Sequence, residues 1–161
     1  MSSSTAWMNG EWKALDCPSL PLDDRGLLLS DGLFETVLIQ HGQPQLLEEH
    51  LHRWSTSAAL LGMDTPPQGP TLYRLILEAI QRCHLAQSDG ALRLNWSRGS
   101  TPQRGIGLPA SGHHRFWLTL QPCTPTFSPV TTITSCHERR NASSRLSRCK
   151  TFAYGQAIQA R

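Results

Sequence analysis

Lysine is scarce in this sequence. Only two of the 161 residues are lysines, Lys13 and Lys150, and thirteen arginines carry the rest of the positive charge. Arginine stays protonated, whereas a lysine that loses its proton can attack a carbonyl carbon and form a Schiff base. A solvated lysine before a helix is the ordinary interpretation of a single lysine. Lys150 therefore becomes a candidate nucleophile only if its surroundings support that role.

Charge, cysteine pairs and long apolar runs are also in short supply. Charged residues make up 17% of the chain and the net charge is +3, which does not by itself indicate a nucleic-acid or membrane partner. Five widely spaced cysteines form no CxxC pair, so neither a disulfide framework nor a structural metal is expected. The N-terminus lacks the basic patch and apolar run of a signal peptide. These absences predict a cytoplasmic protein without a membrane partner.

Two β-hairpins are predicted in the first third of the chain, which at 161 residues and 39% hydrophobic can bury one core. Asn9-Gly10 stands between two tryptophan-bearing arms, and both turn residues tolerate positive φ. Residues 33–40 are rich in aromatic and β-branched side chains, and His41-Gly42 then predicts a turn into a returning arm at residues 44–47.

Helical spacing follows the hairpins. Apolar residues recur at intervals of three and four over residues 48–62 and again over residues 72–84, which predicts two consecutive helices. Apolar and polar residues then alternate, which predicts strands at residues 91–98 and 116–120. A further strand is expected at residues 129–137.

The order of these elements predicts the fold class. Residues 99–112 form a loop punctuated by glycine and proline, and residues 151–161 return to helical composition. Strand and helix runs are segregated along the chain, which is typical of an α+β fold rather than a doubly wound parallel sheet.

Three weaker patterns are more simply explained by structure. The Gly105-Ile106-Gly107 run is too short for a dinucleotide fingerprint. His50 and His52 would lie on different faces of a helix, which argues against a shared metal. The four arginines of residues 137–148 could bind RNA, but no aromatic residues are interleaved with them. A polar loop that partly faces an anionic ligand fits this run better, so nucleic acid is not the expected partner.

Four separate segments resemble the class IV pyridoxal-phosphate enzymes, a family of lyases and aminotransferases. Residues 24–37 (DRGLLLSDGLFETV) are similar to its N-terminal signature, and residues 48–54 (EEHLHRW) to the helix that holds the cofactor phosphate. Residues 97–109 (SRGSTPQRGIGLP) resemble a loop that faces the substrate, and residues 148–160 (RCKTFAYGQAIQA) the catalytic lysine motif. Four motifs in the right order are far more specific than any one of them.

The resemblance implies residue roles as well as pyridoxal 5'-phosphate as the cofactor. It makes Lys150 the catalytic, cofactor-binding lysine and Arg53 the residue that holds the cofactor phosphate. Phe34, Arg98 and Arg104 become substrate-binding candidates, although each of the two arginines could equally brace a loop. A planar guanidinium suits a phosphate or carboxylate of a small anionic amino substrate. No metal is implied.

The family also implies an organisation larger than this chain. Residues 1–149 would form the N-terminal α+β domain of the fold-type IV enzymes, and residues 150–161 the lysine segment that starts a C-terminal domain absent from this chain. Family members are usually homodimers with sites near the interface, so a homodimer is expected for the intact protein.

Two activities within the family remain open on the sequence. The paired Arg-Gly segments at Arg98 and Arg104 resemble those of a lyase, and two basic residues suit a substrate with two carboxylates. We therefore favour conversion of 4-amino-4-deoxychorismate to 4-aminobenzoate and pyruvate in folate-precursor synthesis. Glu35 after Phe34 instead resembles the aminotransferases that act on branched-chain or D-amino acids. A non-catalytic anion- or RNA-binding domain is the alternative outside the family.

Overall fold

A six-stranded antiparallel sheet carries two long helices. The computed structural model describes residues 4–101, 105–109, 113–129 and 137–160. The elements in chain order are β1 Thr5–Met8, β2 Glu11–Ala14, α1 Arg25–Leu29, β3 Gly32–Gln40, β4 Gln43–Pro44, α2 Leu47–Leu60, α3 Gly69–Arg82, β5 Gly90–Ser97, β6 Arg115–Pro122, a 3-10 turn Arg145–Arg148 and α4 Gly155–Gln159. The strand order is β2-β1-β6-β5-β3-β4.

The apolar core lies between the two long helices and one face of the sheet. Leu33, Val37 and Ile39 of β3 alternate along the strand and are fully buried, as are Leu92 and Leu94 of β5. Val37 lies opposite Leu92 in the antiparallel register. Burying each of these side chains contributes about 1.5–3 kcal/mol, so the alternation fixes which face of β3 meets the helices.

The other face of the sheet carries a different set of side chains. Phe34 pairs in register with Asn95, and Asn95 with Trp117, so all three lie on the face opposite the core. Arg93 is two residues from Asn95 and lies on the same face. This face, which we call the open face, is the one that meets the C-terminal segment.

Most of the predicted elements are confirmed. The first hairpin turns at Asn9 and Gly10, which have φ values of 54° and 88°. The two long helices and the strands at β5 and β6 lie where the periodicity predicts them. The second hairpin is shorter than predicted, because Leu46 adopts a left-handed φ of 51° and α2 begins at the next residue.

Three differences concern short or undescribed segments. Helix α1 was not predicted, because its five residues are too few to show periodicity. The Asp24 side chain caps it by accepting from the Gly26 N–H. The predicted strand at residues 129–137 falls mostly outside the described residues. The C-terminal helix α4 is confirmed but starts only at Gly155. Among the described residues, no helix has the length and apolar character needed to cross a membrane.

Candidate active site

The segment that contains Lys150 is attached directly to the sheet. The Lys150 carbonyl accepts from the Phe34 N–H at 3.0 Å, and the Phe152 N–H donates to the Gly32 carbonyl at 3.0 Å. Thr151 thereby lies opposite Leu33 in an antiparallel bridge. This edge of β3 is available because β4 pairs only with the last two residues of the strand. The candidate lysine therefore has a fixed backbone position at the start of β3.

Aromatic rings surround the Lys150 amine. Its Nζ donates to the Tyr154 hydroxyl at 3.0 Å and lies 4.5 Å from the centre of the Phe34 ring. The Phe34 and Tyr154 rings are 5.4 Å apart. Within the described part of the chain, no carboxylate forms a salt bridge with Lys150. A proton on this amine is thus held by a hydroxyl and by ring faces rather than by an anion.

Arg53 lies on α2 and grips Glu35 of β3. Its Nε and Nη2 donate to the two Glu35 oxygens at 2.7 and 2.5 Å, which is the fork geometry of a strong charge-assisted pair. These hydrogen bonds raise the pKa of Arg53 despite an opposing effect of burial. Glu35 is 1% exposed, whereas the Arg53 side chain is 53% exposed. The buried Glu35 therefore fixes the position of the Arg53 guanidinium, part of which remains accessible to solvent.

His50 completes this cluster. Its Nδ1 lies 2.8 Å from Glu35 Oε2 and 3.2 Å from Arg53 Nη2. A protonated Nδ1 donates to the carboxylate and cannot also accept from Arg53, so we assign its hydrogen bond to Glu35. The spacing of three residues between His50 and Arg53 on one helix face brings both to the same acid.

Arg98 has a bracing geometry. Its Nε donates to Asp31 Oδ2 at 2.9 Å, and its two terminal nitrogens donate to the carbonyls of Gly62 and Leu61 at 2.9 and 3.0 Å. The residue is 5% exposed. All three guanidinium nitrogens are therefore engaged, two of them by carbonyls just after α2. These contacts match the bracing alternative, and no substrate contact for Arg98 emerges from them.

The signature around residues 24–31 is a second brace. Asp31 Oδ2 accepts from Arg25 as well as from Arg98. Arg25 also donates to the Gly105 and Gly107 carbonyls at 3.3 and 3.2 Å. The signature thus fixes the described part of the loop that follows β5. Arg104, the other predicted substrate contact in this loop, lies outside the described residues.

Arg93 is a candidate residue that the sequence analysis missed. Its guanidinium carbon lies 3.6 Å from the centre of the Phe34 ring, and its Nε donates to Asn95 Oδ1 at 2.8 Å. Burial lowers the pKa of Arg93, with a smaller opposing effect of Tyr154. Among the described residues it has no carboxylate partner. The available signal was its place on the polar side of the alternating strand, the side that also carries Asn95.

Four other arginines with buried or partly buried ion pairs make the contrast with Arg93 plain. Each of them has a carboxylate partner within 3.1 Å. The four are Arg25, Arg53, Arg98 and Arg115.

The Lys150–Tyr154 hydrogen bond is exposed to solvent and lies outside two surface clefts. One surface cleft of about 490 Å³ includes His41 and Cys123, and another of about 360 Å³ includes Trp7 and His114. Neither cleft is lined by Lys150 or Phe34. The Lys150 amine, the Phe34 and Tyr154 rings and the half-buried Arg93 guanidinium together can hold an anionic ligand against Lys150.

Comparison with known proteins matches most of the chain to one family. A family model described as amino-transferase class IV matches residues 32–161. The bifunctional aminodeoxychorismate lyase / D-amino acid transaminase of Mycobacterium tuberculosis is 42% identical over 94 residues, which cover 57% of this chain and 32% of that protein.

Solved structures of a lyase and of an aminotransferase are also similar to this chain. The 4-amino-4-deoxychorismate lyase from Pseudomonas aeruginosa superposes with a TM-score of 0.70 at 27% identity, covering 97% of this chain and 55% of that one. A hypothetical aminotransferase from Mycobacterium tuberculosis in a PLP-bound form has a TM-score of 0.61 at 30% identity, covering 74% and 40%. The expected α+β fold is confirmed. The chain spans about a third of the curated relative and about half or less of these structures.

Proposed function

The chain belongs to the amino-transferase class IV family, and on that premise we propose that it forms part of a pyridoxal-phosphate lyase. The proposed reaction converts 4-amino-4-deoxychorismate to 4-aminobenzoate and pyruvate. One observation carries the proposal: the Lys150 amine lies beside Phe34 and Tyr154, and no carboxylate among the described residues pairs with it. Two related proteins support this choice of reaction, namely the bifunctional lyase / D-amino acid transaminase of Mycobacterium tuberculosis and the lyase from Pseudomonas aeruginosa.

The donors present fit pyridoxal phosphate. Lys150 offers an amine for the aldehyde, and Arg53 offers a guanidinium for the phosphate. Nη1 of Arg53 has no hydrogen-bond acceptor among the described residues, while Nε and Nη2 are held by Glu35. When bound, the cofactor would supply an electron-withdrawing ring that stabilises negative charge on the substrate carbon. Phe34 is 4% exposed and helps exclude water from the amine.

Residues of this chain would bind the substrate and move its proton. Lys150 would take the proton from the carbon that bears the amino group, and the Tyr154 hydroxyl would hold the resulting ammonium in place. Arg93 would bind a substrate carboxylate, because its half-buried charge has no anionic partner in the part of the chain that the structure describes. Arg104 remains the predicted partner for a second carboxylate. The C–O bond to the enolpyruvyl group would then break, and the proton held on Lys150 would pass to that group, which leaves as pyruvate. The remaining ring is aromatic, which favours the forward reaction.

Amino transfer is the second candidate, on D-amino or branched-chain amino acids. The buried Glu35 with its two basic partners favours it, because the residue after Phe34 resembles the aminotransferases. The two reactions differ in one requirement. A transaminase needs a keto acid to accept the amino group, whereas the lyase needs no second substrate.

The test uses the complete protein that contains this chain. Incubation with 4-amino-4-deoxychorismate and no keto acid is expected to release pyruvate and 4-aminobenzoate in equal amounts. Lys150→Ala is expected to abolish both, while the matched change at the other lysine, Lys13→Ala, leaves them unchanged. Borohydride reduction followed by peptide mass spectrometry should locate the cofactor on Lys150. Product formed only when a keto acid is added would replace the lyase with the transaminase.

The wider organisation is part of the same proposal. We expect a homodimer whose C-terminal domain follows the lysine segment at residue 150. Light scattering on the complete protein tests the dimer, and a monomeric mass in the active protein would contradict it.

A further inference from the structure

The net positive charge of the chain is concentrated in one segment. We call residues 137–148 the basic segment. Fifteen basic and 12 acidic residues give the chain its net charge of +3. The basic segment holds four of the basic residues and one of the acidic ones, which leaves eleven of each sign elsewhere. The rest of the chain therefore has no net charge, and the basic segment accounts for the whole net charge of +3.

The basic segment is held beside the candidate site. The Gln156 side chain of α4 donates to the Arg139 carbonyl at 2.8 Å. At the other end, Cys149 is 6% exposed and packs in the apolar core directly before Lys150. The N-terminal part of the segment is thus bonded to α4, and its C-terminal end connects through Cys149 to Lys150.

Local hydrogen bonds give the segment a defined backbone. The Asn141 side chain accepts from the Ser143 N–H at 3.0 Å, and the Asn141 carbonyl accepts from the Ser147 hydroxyl at 2.6 Å. The Asn141 carbonyl also accepts from the Ser144 N–H at 3.1 Å. An Asx turn of this kind fixes the backbone without using the arginine side chains.

The arginines of the segment face solvent. All four are exposed, and no salt bridge joins them to a carboxylate in the described part of the chain; they are Arg139, Arg140, Arg145 and Arg148. Exposed charges of one sign next to a site raise the local concentration of ligands of the opposite sign.

We propose that the basic segment steers small phosphate-bearing anions, pyridoxal phosphate first among them, to Lys150. This inference rests on the proposed function, because it takes the ligand of the Lys150 site to be anionic. The segment accelerates the encounter and makes no contact in the bound state. Steering of this kind raises association rate constants by about 10-fold to 1,000-fold and weakens as salt increases. RNA is disfavoured as the partner, because residues 137–148 contain no phenylalanine, tyrosine or tryptophan for base stacking.

The experiment measures the association rate constant of pyridoxal phosphate by stopped-flow absorbance on the complete apo-protein. The test variant is Arg139→Gln with Arg140→Gln. The matched control is Lys13→Gln with Arg74→Gln, which removes the same charge from exposed positions outside the segment. At about 10 mM ionic strength the screening length is about 30 Å, and at about 1 M it is about 3 Å, so the two salt conditions separate steering from contact.

Steering predicts a specific pattern. The test variant should associate roughly 3- to 10-fold more slowly than wild type at low salt and equally fast at high salt. The dissociation rate constant should not change, since the arginines do not touch the bound ligand. Pyridoxal without the phosphate should associate at the same rate with all three proteins, and the control variant should behave like wild type.

Four outcomes would overturn the inference, and the last of them would overturn the proposed function as well. Equal association rates for the test and control variants at low salt would remove steering. A faster dissociation in the test variant would make the segment a direct contact instead. Salt-dependent binding of a uridine oligonucleotide that the test variant loses, with unchanged cofactor association, would assign the segment to RNA. If wild type gives no absorbance change with pyridoxal phosphate, the proposed function fails and steering of this cofactor fails with it.

Discussion

Gly32 lies where the lysine segment crosses β3, and an alanine there should displace it. A Cβ on Gly32 would stand 2.2 Å from Phe152 Cε2 and 2.6 Å from its Cδ2. Carbon atoms in contact are normally about 3.5–4.0 Å apart, so the ring would have to move by at least about 1.3 Å. The Phe152 ring cannot move freely, because its centre lies 5.7 Å from the centre of the Trp117 ring and 6.3 Å from that of Phe34.

The cost of this displacement can be estimated from the contacts. Overpacking a well-filled site destabilises a protein by about 1–3 kcal/mol. If the bridge opens, the hydrogen bonds from Phe152 to Gly32 and from Phe34 to Lys150 are lost, at about 1 kcal/mol each. We expect Gly32→Ala to lower the free energy of unfolding by about 2 kcal/mol. The Lys150 amine should also leave its position, because its backbone carbonyl is one of the two anchors.

Two measurements on the complete protein check this prediction. Urea denaturation reports the free energy of unfolding, and borohydride trapping at limiting pyridoxal phosphate reports how much cofactor reaches Lys150. The matched control is Gly107→Ala, because a Cβ at Gly107 meets no atom within 4 Å. Adding Phe152→Leu to Gly32→Ala should recover part of the loss, with a coupling energy of about 0.5–3 kcal/mol. Equal stability and trapping for Gly32→Ala and Gly107→Ala would refute the reasoning, as would strict additivity with Phe152→Leu.

Further predictions concern three polar clusters. Arg98→Lys keeps the charge but cannot reach all three acceptors, so the free energy of unfolding, measured by urea denaturation, should fall by about 2–4 kcal/mol. If Arg98 only braces the loop, the KM for the substrate should stay unchanged, whereas a raised KM would indicate that Arg98 binds the substrate. Glu35→Gln should weaken pyridoxal-phosphate binding about tenfold in a titration, because Arg53 loses its charged anchor; an unchanged affinity would contradict this. Burial lowers the pKa of His114, although Asp64 opposes the effect, so the folded protein binds this proton less readily than the unfolded chain. The free energy of unfolding should therefore fall as the pH drops below about 6.5, the unfolded value, and the decrease should be smaller in His114→Gln.

Local patterns in the sequence predicted the scaffold of the site. The alternation in β3 and β5 separates Phe34 and Arg93 from the buried leucines, and helical spacing puts His50 and Arg53 on one face of α2. These patterns repeat every two to four residues, so a short window is enough to detect them. The resemblance of the separate motifs then singled out Lys150.

Long-range contacts explain what the sequence left open. The bridge between Thr151 and Leu33 joins residues more than a hundred positions apart, and no local periodicity encodes that pairing. The bracing contacts of Arg98 depend on the Leu61 and Gly62 carbonyls just after α2, and no local pattern shows which side chain will reach them. Whether an arginine braces a loop or faces a ligand depends on its partner, and the partner becomes visible only in the folded chain.

Partner identity also separates the arginines by function. Arg25 and Arg98 share the Asp31 carboxylate and also donate to backbone carbonyls, so few of their donors remain for an incoming anion. Arg93 has no such partner among the described residues, and its desolvated charge would be stabilised by a bound carboxylate. Replacing Arg93 by Gln should therefore weaken substrate binding while leaving the fold intact, whereas the same change at Arg98 should destabilise the fold first. The opposite ranking would show that the loop, and not the open face of the sheet, recognises the anion.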